Sequence, residues 1–243
     1  MDLRKIAARF AEGLKFVDSH TTTVTKPRKK TEPPYFPGVP SMYEDAVAKE
    51  VAEWWREKYP EDFQPTSAVE LQMSYPTLDG GTCDLVFSSD GQWIPDPEWA
   101  IEIKRIQLVG NNGKNNDYGL AKVLSPYLKD RSLIHDLRRQ SSHAFARHHA
   151  CVGYVFDYDF GLLREARTHH PDKQSVLDNL QLVLHGNDRT KGVLSGRDLV
   201  FAADALVRQA DLVIGDLVIE PFQDLWRHPC GGNGIVFAWE VKK

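Results

Sequence analysis

Hydrophobic positions recur along this chain with two different periods. Near the start, Leu3, Ile6, Ala7, Phe10 and Leu14 follow helical spacing, which predicts a short amphipathic helix over residues 1–17, packed on the core or on a partner. After a Thr-, Pro- and Lys-rich stretch over 18–40 that reads as an extended arm, the helical period returns at MYEDAVAKEVAEWWREKY. Ser41 and Glu44 fit a capping box there, Tyr43, Val47, Val51 and Trp54 form one face, and the helix should end before Pro60. The period then drops to two. In SAVELQMSY, Val69, Leu71, Met73 and Tyr75 alternate with Glu70, Gln72 and Ser74, the pattern of a strand with one buried face.

PTLDGG then marks a turn, TCDLVFS a second strand, SSDGQWIPDPE a loop, and WAIEIKRI a third strand. The Gly- and Asn-rich residues 107–118 form a loop directly after it. A helix follows within 125–149, and ACVGYVFDYD is a β-branched and aromatic strand behind it. Later apolar segments at 174–186, 197–209, 211–222 and 234–241 add mixed helix and strand without an internal repeat. The expectation is a mixed α/β fold ordered α-β-β-β-α-β with C-terminal additions. Residues 1–40 are read as an N-terminal helix and arm. Residues 41–243 are read as one domain, with its core over about 41–157 and an extension over 158–243.

Composition narrows the class. The chain has 243 residues, 42% of them hydrophobic, enough for one substantial core. No segment approaches the ~18 to 20 apolar residues that span a bilayer, and the N-terminus carries scattered charges instead of an apolar leader, so a cytoplasmic protein with no membrane partner is expected. Cys83, Cys151 and Cys230 show no paired spacing, which points to reduced thiols and away from a cysteine zinc site. A net charge of -4 excludes a general polycation, so nucleic-acid binding would rely on local patches such as Lys26 to Lys30, Arg138 with Arg139, or Arg147 to His149.

Against that background the third strand stands out, because Glu102, Lys104 and Arg105 interrupt an apolar run. Alternation sends Glu102 and Lys104 to one face and Ile101 and Ile103 to the other. Asp84 lies in the preceding strand, and a register that set it opposite Glu102 would bring the two acids to ~5 Å. Carboxylates that close repel unless a proton or cation lies between them, and a hard ion such as Mg²⁺ or Mn²⁺ suits carboxylate and carbonyl oxygens. Lys104 would orient an attacking water or stabilise developing charge. The competing reading is an ion pair between Glu102 and Lys104 on an edge strand.

Asp84 followed by Glu102-Ile103-Lys104, set in this order of elements, resembles the PD-(D/E)XK nuclease superfamily of restriction endonuclease-like folds. The resemblance covers about residues 41–157, and Cys83 stands where the family pattern has Pro. It implies a central mixed sheet flanked by helices. It also implies metal held by Asp84, Glu102 and the main chain at Ile103, catalysis by Asp84, Glu102 and Lys104, and Mg²⁺ or Mn²⁺ as cofactor. Glu44 stands where many members carry an additional acid; its other reading is the capping-box glutamate. Helix residues Arg138 and Arg139, and Lys114 in the loop, are candidates for backbone phosphates of DNA.

The adjacent pairs His148-His149 and His169-His170 are poor geometry for joint metal ligation. Glu240-Val241-Lys242 repeats the ExK spacing but lacks the surrounding elements. HExxH, GxSxG and a GxxxxGK[ST] phosphate loop are absent, so no intrinsic ATP motor is expected. The resulting expectation is a Mg²⁺-dependent DNA nuclease, endonuclease ahead of exonuclease, in restriction, phage defence or DNA processing, working as a homodimer or within a multi-subunit complex. The alternatives are a non-hydrolytic DNA-binding or assembly subunit of the same fold and an RNA nuclease.

Overall fold

The structure is a computed structural model that describes residues 1–21, 38–93, 95–108, 132–159, 193–225 and 232–242. In chain order its elements are α1 (Leu3–His20), α2 (Glu44–Lys58), β1 (Val69–Ser74), β2 (Thr82–Phe87), β3 (Trp99–Ile106) and α3 (Leu133–Ser142). These are followed by β4 (His148–Phe156), β5 (Tyr158–Asp159), β6 (Val193–Leu194), α4 (Gly196–Arg208), β7 (Val218–Phe222) and β8 (Gly234–Val241). The helix-three strands-helix-strand order read from periodicity is present. The expected arm, from residue 22 to 37, and the apolar segment at 174–186 lie outside the described residues, as do Lys114 and Cys230.

One six-stranded sheet, ordered β1-β2-β3-β4-β8-β7, organises the described residues, and β5 pairs with β6 in a separate two-stranded sheet. β2 is antiparallel to both β1 and β3, β3 and β4 are parallel, and β8 is antiparallel to both β4 and β7, so the sheet is mixed. The parallel β3-β4 step requires a crossover, and α3 lies within it. The C-terminal additions extend the central sheet beyond β4. The N-terminal helix joins the same core through Ile6, Phe10, Leu14 and Val17.

The two faces of the sheet are covered differently. On one, α1 and α2 pack over Leu85, Phe87, Ile101, Val152 and Tyr154. Trp55 meets Phe87 edge-on at 5.4 Å between ring centres, and Phe10 meets Tyr154 at 6.0 Å. The expected α2 face is corrected by one position: Val47, Val51 and Trp55 are buried at i, i+4 spacing, Trp54 is only partly covered, and Tyr43 is exposed. Gly13 permits the close approach of α1 and α2, since a Cβ there would lie 2.7 Å from Val51. Asp62 ties both helices together, accepting from Arg9 Nε at 2.8 Å and Trp55 Nε1 at 3.0 Å. On the other face, α3 and α4 pack against β3, β4 and β8. Trp239 of β8 donates to Asp204 of α4 at 2.8 Å, and the Phe237 ring fills the space over Gly153.

α3 is fastened to the sheet by a polar contact. Its N-cap Ser132 accepts from His135 N at 3.0 Å, which sets the first turn. Leu133, Ile134 and Leu137 enter the core. Gln140 donates to the carbonyl oxygens of both Ala100 and Ala150, at 3.2 and 2.8 Å, bridging β3 and β4. Asp136, Arg139 and Gln140 share a helical face, so this anchor turns Asp136 and Arg139 toward β3.

Candidate active site

The pairing of β1 with β2 steps over the facing residues Gln72 and Asp84: Leu71 pairs with Leu85 and Met73 with Cys83, with no pair between them. Gln72 has a φ of 54°, a left-handed conformation uncommon for a side-chain-bearing residue. The distortion changes which side of the sheet is served. Val69, Leu71, Leu85 and Phe87 belong to the main core, whereas Met73, Tyr75 and Cys83 join a smaller cluster with Val86, Ala100 and Ala146. The expected alternation of β1 is therefore present in exposure, but its four apolar side chains do not share one face.

The same position ends the pairing of β2 with β3. Their register runs Phe87 with Trp99, Val86 with Ala100 and Leu85 with Ile101. Beyond it, Asp84 Oδ2 accepts the main-chain N–H of Ile103 at 2.7 Å, and Oδ1 accepts from Gln72 Nε2 at 2.8 Å. Two residues further along β3, Glu44 Oε2 accepts the main-chain N–H of Arg105 at 2.6 Å. Two N–H groups on β3 are thus met by carboxylates, which satisfies donors that the departing strand leaves open. Glu44 consequently performs no capping-box role: α2 has Tyr43 at its N-cap and no side-chain cap hydrogen bond. The Arg105 guanidinium holds the approach to α2, donating to the carbonyl oxygen of Met42 at 2.9 Å.

Glu102 and Lys104 point to the α3 side. Glu102 is only 2% exposed; its Oε1 accepts from Tyr75 OH and from Arg139 Nη2, each at 2.7 Å. Among the described residues, hydrogen bonds to this carboxyl reach Oε1 alone. Lys104 Nζ lies 2.7 Å from Asp136 Oδ2 and 3.3 Å from Glu44 Oε1. Asp136 Oδ1 is 2.9 Å from Arg139 Nη2, so this buried carboxylate links the two cations. The edge-strand ion pair does not describe Lys104, because β3 is interior to the sheet and the ammonium pairs with Asp136 and Glu44.

Electrostatics follow from this crowding. Burial, then the charges of Asp84 and Asp136, pushes the Glu102 carboxyl up to about 8. Glu44 is also raised, first by its surrounding protein and then by Asp84, against the opposing pull of Lys104. For Lys104, burial alone would lower the pKa, but Glu44, Asp136 and Asp84 together outweigh it and hold the ammonium well above the usual lysine value. Four carboxyls, Glu44, Asp84, Glu102 and Asp136, share this region with the cations Lys104, Arg105 and Arg139.

That donor chemistry suits a hard divalent ion. Mg²⁺ commonly takes one or two protein carboxylates and completes its shell with water and phosphate oxygens. Asp84 and Glu102 are the pair that could serve an open site of this type, with Glu102 giving up its proton as the ion binds. A closed protein cage is a different matter: among the described residues, no group of three or more His, Cys, Asp and Glu side chains is arranged to hold a metal ion. The Ile103 side chain is in the core, and its peptide N–H is the group bonded to Asp84.

The structure therefore brings Asp84, Glu102, Lys104 and Glu44 together. It corrects the expectation for Arg139, whose guanidinium is turned inward to Glu102 and Asp136 because Gln140 fixes that face of α3 against the sheet. Arg138 remains exposed, with Nη2 3.3 Å from the carbonyl oxygen of Ala210, outside the acid cluster. Tyr75, Asp136 and Gln72 belong to the site although alternation alone placed Tyr75 on a buried face and Gln72 in solvent. The i, i+3 spacing of Asp136 and Arg139 was the available signal for the helix contribution.

The pair His148-His149 diverges as expected, while His169-His170 lies outside the described residues. His148 meets Glu240 Oε1 at 2.9 Å and stacks on Trp99, while His149 Nε2 accepts the N–H groups of Phe145 and Ala146 at 3.1 and 3.2 Å. Glu240 is paired with Lys242 and His148, away from the acid cluster. Cys83 and Cys151 are buried free thiols, and no described helix is long and apolar enough to cross a membrane. Compared with known proteins, the chain matches no family model, no curated protein sequence and no solved structure.

Proposed function

We propose that this protein is a Mg²⁺- or Mn²⁺-dependent nuclease acting on DNA, built on a restriction endonuclease-like core. The observation that carries the reading is the meeting of Asp84 with the peptide of Ile103 at 2.7 Å, at the point where β2 leaves β3. It places an acid of one strand beside the Glu102-Ile103-Lys104 triplet of the next. The resemblance drawn from these residues, and the α2-β1-β2-β3-α3-β4 order around them, support the same reading.

In this proposal Asp84 and Glu102 hold the metal, and Glu44 adds negative charge beyond Lys104. A bound divalent ion would neutralise phosphoryl oxygens and lower the pKa of a coordinated water. Glu44, Asp136 and Asp84 favour the protonated form of Lys104, so its proposed role is that of a cation aimed at a water or a developing oxyanion. Asp136 keeps that ammonium in place from the helix side. Homodimerisation, the biological pathway and a cytoplasmic location accompany the proposal without being needed for its chemistry.

The test is incubation of purified protein with Mg²⁺ or Mn²⁺ and supercoiled, linear or single-stranded DNA, with RNA as a parallel substrate. Cleavage lost in Asp84→Ala and Lys104→Ala, with folding retained, supports a nuclease; the substrate that is cut separates the DNA and RNA forms. A second reading, a non-hydrolytic DNA-binding or assembly subunit, is favoured by the coordination of Glu102 to Arg139 and Tyr75 and by the lack of a three-ligand cage among the described residues. That reading predicts intact nucleic acid under every metal condition, with binding changed by the same substitutions.

A further inference from the structure

Arg139 occupies an unusual place within the acid cluster. Nη2 contacts Glu102 Oε1 at 2.7 Å and Asp136 Oδ1 at 2.9 Å, and the guanidinium carbon lies 5.4 Å from the centre of the Tyr75 ring. The same Tyr75 donates its hydroxyl to Glu102 at 2.7 Å, so ring and carboxylate together receive the arginine. Yet Nε of Arg139 is buried and has no hydrogen-bond partner among the described residues. A guanidinium donor shielded from water and unpaired is costly, so part of what its ion pairs contribute is offset. A second arrangement, with the side chain moved toward solvent and Nε hydrated, is therefore accessible at lower cost than for a fully satisfied buried arginine.

We propose that Arg139 is a resident counter-ion that closes the site in the metal-free protein and is displaced when a divalent cation takes Glu102. The proposal rests on the nuclease reading, since it concerns how the same carboxylate is shared between two cations. Direct contact with Glu102 Oε1 places the guanidinium in competition with any metal bound there, because a divalent ion on either oxygen of that carboxylate would stand beside a second positive charge and repel it. Asp136 supplies the restoring side of the switch: when the metal leaves, it and Glu102 draw the guanidinium back. Nothing covalent changes, and the control variable is the concentration of divalent ion. Such a device offsets negative charge on Glu102 and Asp136 and raises the metal concentration at which the site fills.

Two measurements on the full chain test this. Titration calorimetry with Mn²⁺ should show Arg139→Gln binding the ion about tenfold more tightly than the unaltered protein, since a competitor has been removed. Because Arg139→Gln leaves two buried carboxyls with less compensation, a second measurement uses the unaltered protein. In ¹⁵N spectra of arginine side chains, the Nε–H of Arg139, identified by its loss in Arg139→Lys, should exchange slowly without metal and quickly with Mg²⁺. Equal or weaker Mn²⁺ binding by a folded Arg139→Gln overturns the switch, as does a slow Nε–H signal that persists with Mg²⁺ bound; both leave the metal site intact. Absence of Mn²⁺ binding by both proteins overturns the switch and the metal-dependent reading together.

Discussion

Asp84 Oδ2 accepts the main-chain N–H of Ile103 at 2.7 Å, so a side chain of β2 takes the place that a strand carbonyl would otherwise hold beside β3. The acid is thereby fixed to the strand that carries Glu102 and Lys104. Its second oxygen is held by Gln72, the residue whose left-handed backbone interrupts β1. Sparsely populated backbone conformations persist where surrounding structure enforces them, and here the distortion, the end of strand pairing and the candidate site coincide.

Replacing Asp84 tests this relationship directly. Asp84→Ala removes acceptors from Ile103 N–H and Gln72, and is expected to lower unfolding free energy by roughly 1 to 2 kcal/mol. Under the proposed function it should also reduce DNA cleavage by about a hundredfold or more, through loss of transition-state charge stabilisation. Urea unfolding and initial cleavage rates measured on the same preparation separate the two effects. A well-folded variant that cuts DNA at the unaltered rate removes Asp84 from the mechanism.

Lys104→Met retains much of the side-chain volume while deleting the ammonium. Cleavage should fall by about 10² to 10³. With the unaltered protein, the high pKa of Lys104 means that no loss of rate between pH 8 and about 10 should arise from this residue. The check is a rate profile at constant Mg²⁺. A rate that rises on deprotonation of Lys104 in that interval would assign it the role of a base instead.

Asp136→Asn is expected to destabilise the protein by about 3 kcal/mol, because it removes the buried carboxylate shared by Lys104 and Arg139 and leaves them only Glu44 and Glu102. The effect should be larger than that of replacing an exposed acid such as Glu53, whose pairing with Lys49 lies on the surface. Denaturant titration of the two variants gives the comparison. Equal midpoints would show that Asp136 carries no special burden in fastening α3 to β3.

Glu102 gives the metal-free protein a defined pH dependence. Its carboxyl lies at about 8 in the folded chain against an ordinary 4.5, so between these values the native state binds a proton that the unfolded state has released. Stability from this group is therefore fully present below pH 4.5, declines between pH 4.5 and about 8, and levels off above that, where both states have lost the proton, the whole change being on the order of a few kcal/mol. Thermal unfolding across pH 5 to 9 should show that decline, and Glu102→Gln should flatten it. Mg²⁺ should restore stability most strongly at the alkaline end, where the carboxylate is available to bind it.

Local periodicity was sufficient to locate much of the framework. WAIEIKRI spans β3 as observed, TCDLVFS contains β2, and SAVELQMSY contains β1, because alternation along a strand reflects its own backbone geometry. The same local logic singled out Asp84, Glu102 and Lys104, since charges inside apolar strands demand a partner. It missed Trp55 as the buried tryptophan of α2 by a single position, a rotation of about 100° that spacing over a short helix does not resolve.

What the sequence by itself determined was the order helix, three strands, helix, strand and three chemically unusual strand positions. Only the tertiary structure decided that Glu44 would leave its helix cap for Arg105, that Asp84 would reach Ile103, and that Asp136 and Arg139 would arrive from α3. The physical reason is separation along the chain. Periodicity reports which way a side chain points relative to its own strand or helix, whereas these contacts depend on strand register, on the break at Gln72 and on the docking of α3 through Gln140, each set by residues far away in sequence.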